Sequence, residues 1–262
     1  MILDDICARK ALTLSESKYI FNVRNLYEKM NTDKTASFKA ALQKEGLSII
    51  GEVKKASPSR GVIKADFKPV EVAKAYGKSV DAVSVLTEEH FFQGSPEYLK
   101  AIHKEIDLPL LRKDFVISPM QIFEARELGA SAVLLIAAVL KDVRVIKEYI
   151  EFAKGVGLDA LVETHNEEEL EQALSAGAEI VGINNRNLKD FSEDIYTTVR
   201  LCEKVPKDKV VVSESSIHTA EDIAIVASAG VSAVLVGESF MRSGDIIKKA
   251  GEFREAYEKA LN

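Results

Sequence analysis

From residue 47 to its C-terminus the chain alternates short apolar runs with amphipathic stretches. The runs are LSIIGEV (47–53), DAVSVL (81–86), LPLLRK (108–113), SAVLLIA (131–137), DALVE (159–163), EIVGIN (179–184), KVVVSE (209–214) and SAVLVG (232–237). Each has the length of a strand and is rich in Val, Ile and Leu. Their apolar residues are consecutive rather than alternate, as in strands covered on both faces of a parallel sheet. Helical patterns separate them, among them PVEVAKAYGK, SPEYLKAIHKE, SPMQIFEARELG, DVRVIKEYIEFAKGVG and NEEELEQALSAG, and DIIKKAGEFREAYEKALN closes the series. Eight strands, each followed by a helix, give either an open doubly wound sheet or a closed barrel. Three stretches, LGASAVLLI, AGAEIVGIN and AGVSAVLVG, repeat one unit in which a helix ends at Gly129, Gly177 or Gly230 and a strand follows almost at once. Glycine suits the left-handed residue after a helix. The repetition favours eightfold closure, an α/β fold of the (βα)8 TIM-barrel type.

Before the first strand lie 46 residues that read as polar helices: ILDDICARKALTL, SKYIFNVRNLYEKM and ASFKAALQKEG, the last punctuated by Ser37 and Gly46. The expected organisation is a single domain over 1–262, with an N-terminal helical extension (1–46) on a barrel (47–262). A length of 262 residues suits one such barrel. The 41 acids and 35 bases are spread evenly, which argues against the clustered basic face that nucleic-acid phosphates require. No apolar run approaches the ~20 residues of a membrane span, and the N-terminus is acidic early, unlike a secretory signal. Cys7 and Cys202 are far apart, and the four histidines share no ligand spacing. We therefore expect a cytoplasmic protein with no metal, unpaired and inert cysteines, and a monomeric state. No G-x-G-x-x-G follows the first strand and no P-loop is present, which weakens dinucleotide and nucleotide readings.

In a barrel of this kind the chemistry comes from the C-terminal ends of the strands. The first strand ends in Glu52 and Lys54, which period-two alternation places on one face. The third ends in Lys113, the fifth in Glu163, the sixth in Asn184 with Arg186 two residues on, the seventh in Glu214 and Ser215, and the eighth in Gly237. Any one of these charges has a bland reading as a rim ion pair. Five strands delivering charge to one end favour a site, because charge near a core is costly unless paired or employed. Converging Lys and Glu imply acid–base work, with a crowded, desolvated lysine expected to have a lowered pKa. Asn184 and Arg186 can grip a carboxylate. The last two loops, ESSIHTAED and GESFMRSGD, have the small polar residues of a phosphate pocket, and Ser57 and Ser59 could add hydroxyl donors.

Taken together, EVKKASPSRG, LLRKDF, LVET, GINNRNL, SES and VGESFMR, in this order and each at a strand end, resemble indole-3-glycerol-phosphate synthase, and the likeness covers essentially the whole chain. The resemblance implies cyclisation, decarboxylation and dehydration of 1-(2-carboxyphenylamino)-1-deoxyribulose 5-phosphate, in tryptophan biosynthesis and without a cofactor. It implies that Lys113 is the general acid and Glu163 its acid–base partner. Glu52 and Lys54 become a second charged pair, with Lys54 near the anthranilate carboxylate, and Asn184 and Arg186 orient that end of the substrate. Phe92 becomes part of the apolar wall around the aromatic ring. Ser57, Ser215, Ser216, Gly237 and Glu238 fall where the family holds the phosphate, with Glu214 beside them in the substrate site.

Ser216 stands where the family typically has glycine, so a positive φ there would strain a serine. Its amide is expected to point into the pocket. Glu238 is expected to turn its N–H to the phosphate and its side chain away. His165 and His218 match no catalytic pattern and read as loop residues. The rivals are another phosphate-binding barrel, such as phosphoribosylanthranilate isomerase or the tryptophan synthase α subunit, and a catalytically silent barrel that binds a phosphorylated ligand or a protein.

Overall fold

The computed structural model describes residues 2–16, 36–77, 79–188 and 190–261. Eight parallel strands close on themselves: β1 (Ser48–Val53), β2 (Ala82–Leu86), β3 (Leu110–Lys113), β4 (Ala132–Ile136), β5 (Asp159–Thr164), β6 (Ile180–Asn184), β7 (Val210–Glu214) and β8 (Ala233–Val236). Closure comes from β1, which pairs Ile50 with Ala82 on one side and with Leu235 on the other. A two-residue ribbon, 56–57 against 61–62, folds the loop after β1 over the barrel end. The third run loses its first two residues, so β3 begins only after Pro109, whose ring nitrogen cannot donate to a ladder. The fourth run is cut at Ile136, because Ala137–Leu140 turns into a short helix.

The helices start where the sequence supplies caps. Ser95, Ser118, Asp142, Asn166 and Thr219 each accept a backbone N–H in the first turn of the helix they precede. At the other end, Gly129, Gly177 and Gly230 have φ of +91°, +88° and +80°. The chain therefore leaves the helix in the left-handed conformation and enters the next strand within a few residues.

Two apolar layers follow from the period of two along each strand. Ile49, Val83, Val85, Val133, Leu135, Val162, Val181, Ile183, Val211 and Val234 point outward into the layer beneath the helices. Ile50, Leu111, Leu134, Leu161, Ile180, Val212 and Leu235 point inward and fill the barrel. The parity that sends Ile50, Leu111, Leu161 and Val212 inward sends Glu52, Lys113, Glu163 and Glu214 inward two residues later. The barrel interior thus changes from hydrocarbon to charge over one step.

The N-terminal extension touches both ends. Helix α1 (Ile2–Glu16) places Ile6 in the inner apolar layer near Phe115, and its Lys10 is 2.7 Å from Asp114, beyond the end of β3. Helix α2 (Phe38–Leu42), capped by Ser37, plugs the opposite end with Phe38 and Leu42, both fully buried in that layer. The helix expected from SKYIFNVRNLYEKM lies outside the described residues. Among the described residues no helix is long and apolar enough to cross a membrane.

Candidate active site

One cavity opens at the C-terminal end of the strands, with about 1060 Å³ of empty space, part of it continuous with solvent. Every candidate catalytic or substrate-binding residue read from the sequence lines it: Glu52, Lys54, Ser57, Ser59, Phe92, Lys113, Glu163, Asn184, Arg186, Glu214, Ser215, Ser216, Gly237 and Glu238. Leu134, Ile136, Phe115 and Leu235 complete an apolar wall, and Phe92 packs on Phe115 with ring centroids 6.0 Å apart.

At the floor, Lys113 Nζ lies 3.0 Å from Glu163 Oε2 and 3.4 Å from Glu214 Oε2. Both carboxylates are almost fully buried. Lys54 Nζ is in direct contact with Glu52 Oε2. Two glycines make room for this crowding. A Cβ on Gly182 would collide with the Glu214 carboxylate, and one on Gly237 with that of Glu52. Gly237, expected at the phosphate, therefore also clears the floor.

Lys113 is aimed inward by its neighbours. Arg112 Nη1 donates to the Gln121 carbonyl at 2.9 Å and pairs with Glu124 at 2.6 Å, while its Nη2 is 3.3 Å from Asp114. Thr87 donates to Asp114 at 2.7 Å, and Lys10 pairs with the same carboxylate. Residues 112 and 114 are thus tied into a buried network on either side of Lys113, which fixes the strand end between them.

The mouth is cross-linked by charge. Arg186 donates to Ser59 at 2.8 Å and contacts Glu193 directly. Arg60 lies 3.7 Å from Glu193 and 3.3 Å from Glu238. Glu238 also accepts from Arg242 at 3.0 Å, so its charge is neutralised at the rim. Burial would raise its pKa, but Arg60 and Arg242 hold it low. Ser215 and Ser216 have φ of +64° and +60°, so the turn after β7 requires the left-handed conformation twice without a glycine. Side-chain bonds support that turn. Ser215 Oγ donates to Asn184 Oδ1 at 2.8 Å, Asn185 Nδ2 donates to the Ser215 carbonyl at 3.2 Å, and Ser216 Oγ reaches Glu193 at 3.3 Å.

The indole-3-glycerol phosphate synthase family model matches residues 3–253. The chain is 49% identical over 254 residues to the indole-3-glycerol phosphate synthase of Thermoanaerobacter pseudethanolicus, with 97% of each chain covered. It is 50% identical over 257 residues to that of Clostridium acetobutylicum, again with 97% of each covered. The chain belongs to the indole-3-glycerol phosphate synthase family. Its activity is that of a carboxy-lyase of tryptophan biosynthesis, which closes the pyrrole ring, releases carbon dioxide and loses water. Among solved structures it resembles 3-hexulose-6-phosphate synthase from Salmonella typhimurium (TM-score 0.66, 15% identity, 82% of this chain and 100% of that one). Thiamine phosphate pyrophosphorylase from Pyrococcus furiosus is a second likeness (TM-score 0.61, 19% identity, 82% and 98%). At these identities the likeness is one of barrel fold alone.

The electrostatics of this synthase site depart from expectation at Lys113. Burial does act to lower its pKa, but Glu163, Glu214 and Glu52 together overcome it, and the shift is upward. The ammonium stays charged at neutral pH, which suits an acid and not a free amine. Burial would raise Glu163, yet Lys113 and His165 outweigh it and hold this carboxyl well below the usual range. Glu214 goes the other way. Burial first, with the like charges of Glu163 and Glu52, pushes it up to about 7 against the pull of Lys113. Neither Glu214 oxygen receives a hydrogen bond of good geometry. Two of the carboxylates around this ammonium therefore part ways, Glu163 held ionised and Glu214 poised near neutrality.

His165 and His218 lie in loops, as expected, and each meets a carboxylate. His218 lines the cavity and lies 3.5 Å from Glu193, and His165 lies 3.3 Å from Glu163. Two acids went unnoticed in the sequence. Glu88, buried after β2, accepts the N–H groups of His90, Phe91 and Phe92 at 2.7–3.1 Å, and so sets the aromatic wall. Glu193 gathers Arg60, Arg186, Ser216 and His218 at the mouth. A carboxylate just past a strand, next to the residues it serves, is the signal at Glu88; Glu193 has no comparable local signal. Cys7 and Cys202 are free, and burial pushes both thiols up.

Proposed function

We propose that the substrate lies with its phosphate on the turns after β7 and β8, its aromatic ring on Phe92, and its reacting carbons above Lys113. The backbone N–H groups of Ser215, Ser216, Gly237 and Glu238, with the Ser57 hydroxyl, hold the phosphate. The Ser216 amide points into the pocket, and the Glu238 carboxylate stays with its arginines. Lys54, Asn184 and Arg186 hold the carboxylate. The ring carbon that bears this carboxylate attacks the ketone carbon, and Lys113 protonates the oxygen as negative charge builds on it. Loss of carbon dioxide returns the C–C electrons to the ring. Dehydration then places one proton, supplied by the Lys54 ammonium of the Glu52–Lys54 pair, on the leaving hydroxyl and takes one from the adjacent former sugar carbon. Glu163 takes that proton, because once Lys113 has given up its own the carboxylate faces a neutral amine and its proton affinity rises. Glu52 and Lys54 are the second acid–base pair, and Glu214 holds the substrate beside Lys113. The same reading makes the protein a cytoplasmic, monomeric, single-domain enzyme. Its partner is a small phosphorylated molecule and neither nucleic acid nor membrane, and its proton transfers need no metal or organic cofactor.

The observation that carries this reading is the 3.0 Å contact of Lys113 with Glu163 at the floor of a cavity rimmed by the phosphate-type turns. The test is turnover of the carboxyphenylamino-deoxyribulose phosphate, followed by indole absorbance and fluorescence. Lys113→Ala loses about a thousandfold or more in kcat, while substrate affinity stays within a few-fold. Retained turnover in that variant removes Lys113 from the mechanism.

A further inference from the structure

Beyond the cup, Glu163 has a second cationic neighbour. Lys113 engages its Oε2, and its other oxygen, Oε1, faces His165 Nε2 at 3.3 Å. His165 follows β5 directly, and its side chain is nearly buried, with 10% exposed. On its far side Nδ1 lies 2.9 Å from Glu169 Oε2, and the same oxygen accepts the His165 backbone N–H at 2.9 Å. Glu169 is itself fixed. It lies in the first turn of the helix Glu167–Ser175, its Oε1 accepts Asn166 Nδ2 at 2.7 Å, and its N–H donates to Asn166 Oδ1 at 3.0 Å. Lys113, Glu163, His165 and Glu169 thus alternate in sign from the floor of the cup to a recess outside the strand ends.

An imidazole between two carboxylates has one state that suits both contacts. A neutral ring would turn a lone pair on one of the two acids, whereas the imidazolium presents N–H to each. Nε2 makes no hydrogen bond of good geometry, so what joins it to Glu163 Oε1 at 3.3 Å is charge.

We propose that His165 is a positioning residue of the synthase reaction: clamped as an imidazolium by Glu169, it orients the buried Glu163 carboxylate and keeps it ionised at the floor of the cup. This rests on the reading of Glu163 as the proton acceptor. Burial acts against a charged His165, but hydrogen bonds and charge from Glu163 and Glu169 raise it to about 10. The other charges around the pair fall on both sides. Glu163 is faced by Lys113 of β3 and by Glu214 of β7, with Glu52 of β1 acting through Lys113. The outer recess adds Glu168, Asp4 of α1 and Lys141. Without the imidazolium, Glu163 keeps one cation against full burial, and its proton affinity rises.

The test has three arms. In His165→Gln, whose amide is neutral, kcat falls by about tenfold to a hundredfold at neutral pH, KM stays within about threefold, and the acid limb of the pH profile moves to higher pH. Glu169→Gln, which leaves the cup untouched, moves that limb the same way by a smaller amount. In the unmodified protein, nitrogen-15 shifts of the His165 ring, assigned by their loss in His165→Gln, show both nitrogens protonated from pH 6 to 8.5. A ring that titrates within that range overturns the proposal, as does an unmoved acid limb or a loss confined to KM. If instead Glu163→Gln turns over at the normal rate, it is the role of Glu163 that fails, and the ring protonation still reports on the clamp.

Discussion

At the end of the barrel where strands begin, Asp81 accepts the Ile49 N–H at 2.9 Å and faces Arg254 at 2.9 Å and Lys44 at 3.2 Å. Asp159 there accepts the Lys39 N–H at 2.9 Å and the Ser37 hydroxyl at 3.3 Å, which docks the plugging helix α2. At the end where strands finish, Glu163 and Glu214 share Lys113. Both ends pair carboxylates with cations, and the solvation differs. The Asp81 side chain is 14% exposed and its partner Lys44 59%, whereas Glu163 and Glu214 are 2% and 1% exposed and their partner Lys113 15%. Charges at the first end are hydrated, satisfied by backbone N–H groups, and serve closure. Those at the second end are stripped of water and short of donors, so their proton affinities are displaced in opposite directions. Burial alone does not set the difference, since the Arg112–Asp114 pair is equally buried and only holds a strand end; what marks the cup is that its buried carboxylates share one ammonium and are short of further donors.

The sharpest break in this comparison is Glu163→Gln. It keeps the volume and removes the charge that balances Lys113. We expect kcat to fall about a hundredfold to ten-thousandfold, and an unaltered rate would return Glu163 to the structural class. A variant at the opposite end with an equal loss of rate would dissolve the distinction altogether.

Glu214 gives the next largest effect, and in stability. A carboxyl raised from 4.5 to about 7 on folding binds its proton more tightly in the folded state. Its contribution is therefore complete below about pH 4.5 and is lost as the pH rises to about 7. Glu214→Gln has no proton to lose. The Tm of that variant, relative to the unmodified protein, should climb by several degrees between those pH values and then level off. A difference that is flat in pH would show that Glu214 is not displaced by burial.

Asp81→Ala sharpens the other half. It removes an acceptor used by one backbone N–H and two cations, and should cost about 2 kcal/mol, or about 4–8 °C in Tm. Its kcat/KM should stay within about twofold.

The strand ends were legible because parity is written locally. Once Ile50, Leu111, Leu161 and Val212 are taken as inward, Glu52, Lys113, Glu163 and Glu214 follow by counting two. The direction of the Lys113 shift was not legible, since desolvation and three carboxylates from three other strands compete, and their balance is set by distance. The role of His165 was half legible. Glu169 four residues on, behind an Asn cap, is a local signal for a held ring, but Glu163 Oε1 as its other neighbour follows only from where the chain turns after β5. The two faces of the extension, α1 by Asp114 and α2 in the opposite mouth, depend on contacts across 104 and 120 residues and leave no periodic trace.

The smallest effect separates strain from chemistry at the turn after β7. Ser216 has φ of +60°, a conformation that costs a non-glycine residue about 1 kcal/mol. Its hydroxyl recovers part of this through the 3.3 Å contact with Glu193. Ser216→Gly removes the strain and the contact together and adds freedom to the unfolded chain. The net change should be a stabilisation of under about 1 kcal/mol, visible as a rise in Tm of about 1–3 °C. If the Ser216 amide meets the phosphate, KM stays within about twofold, since that N–H survives the substitution. A KM raised tenfold would instead place the Ser216 hydroxyl on the ligand and make the departure from glycine a binding feature.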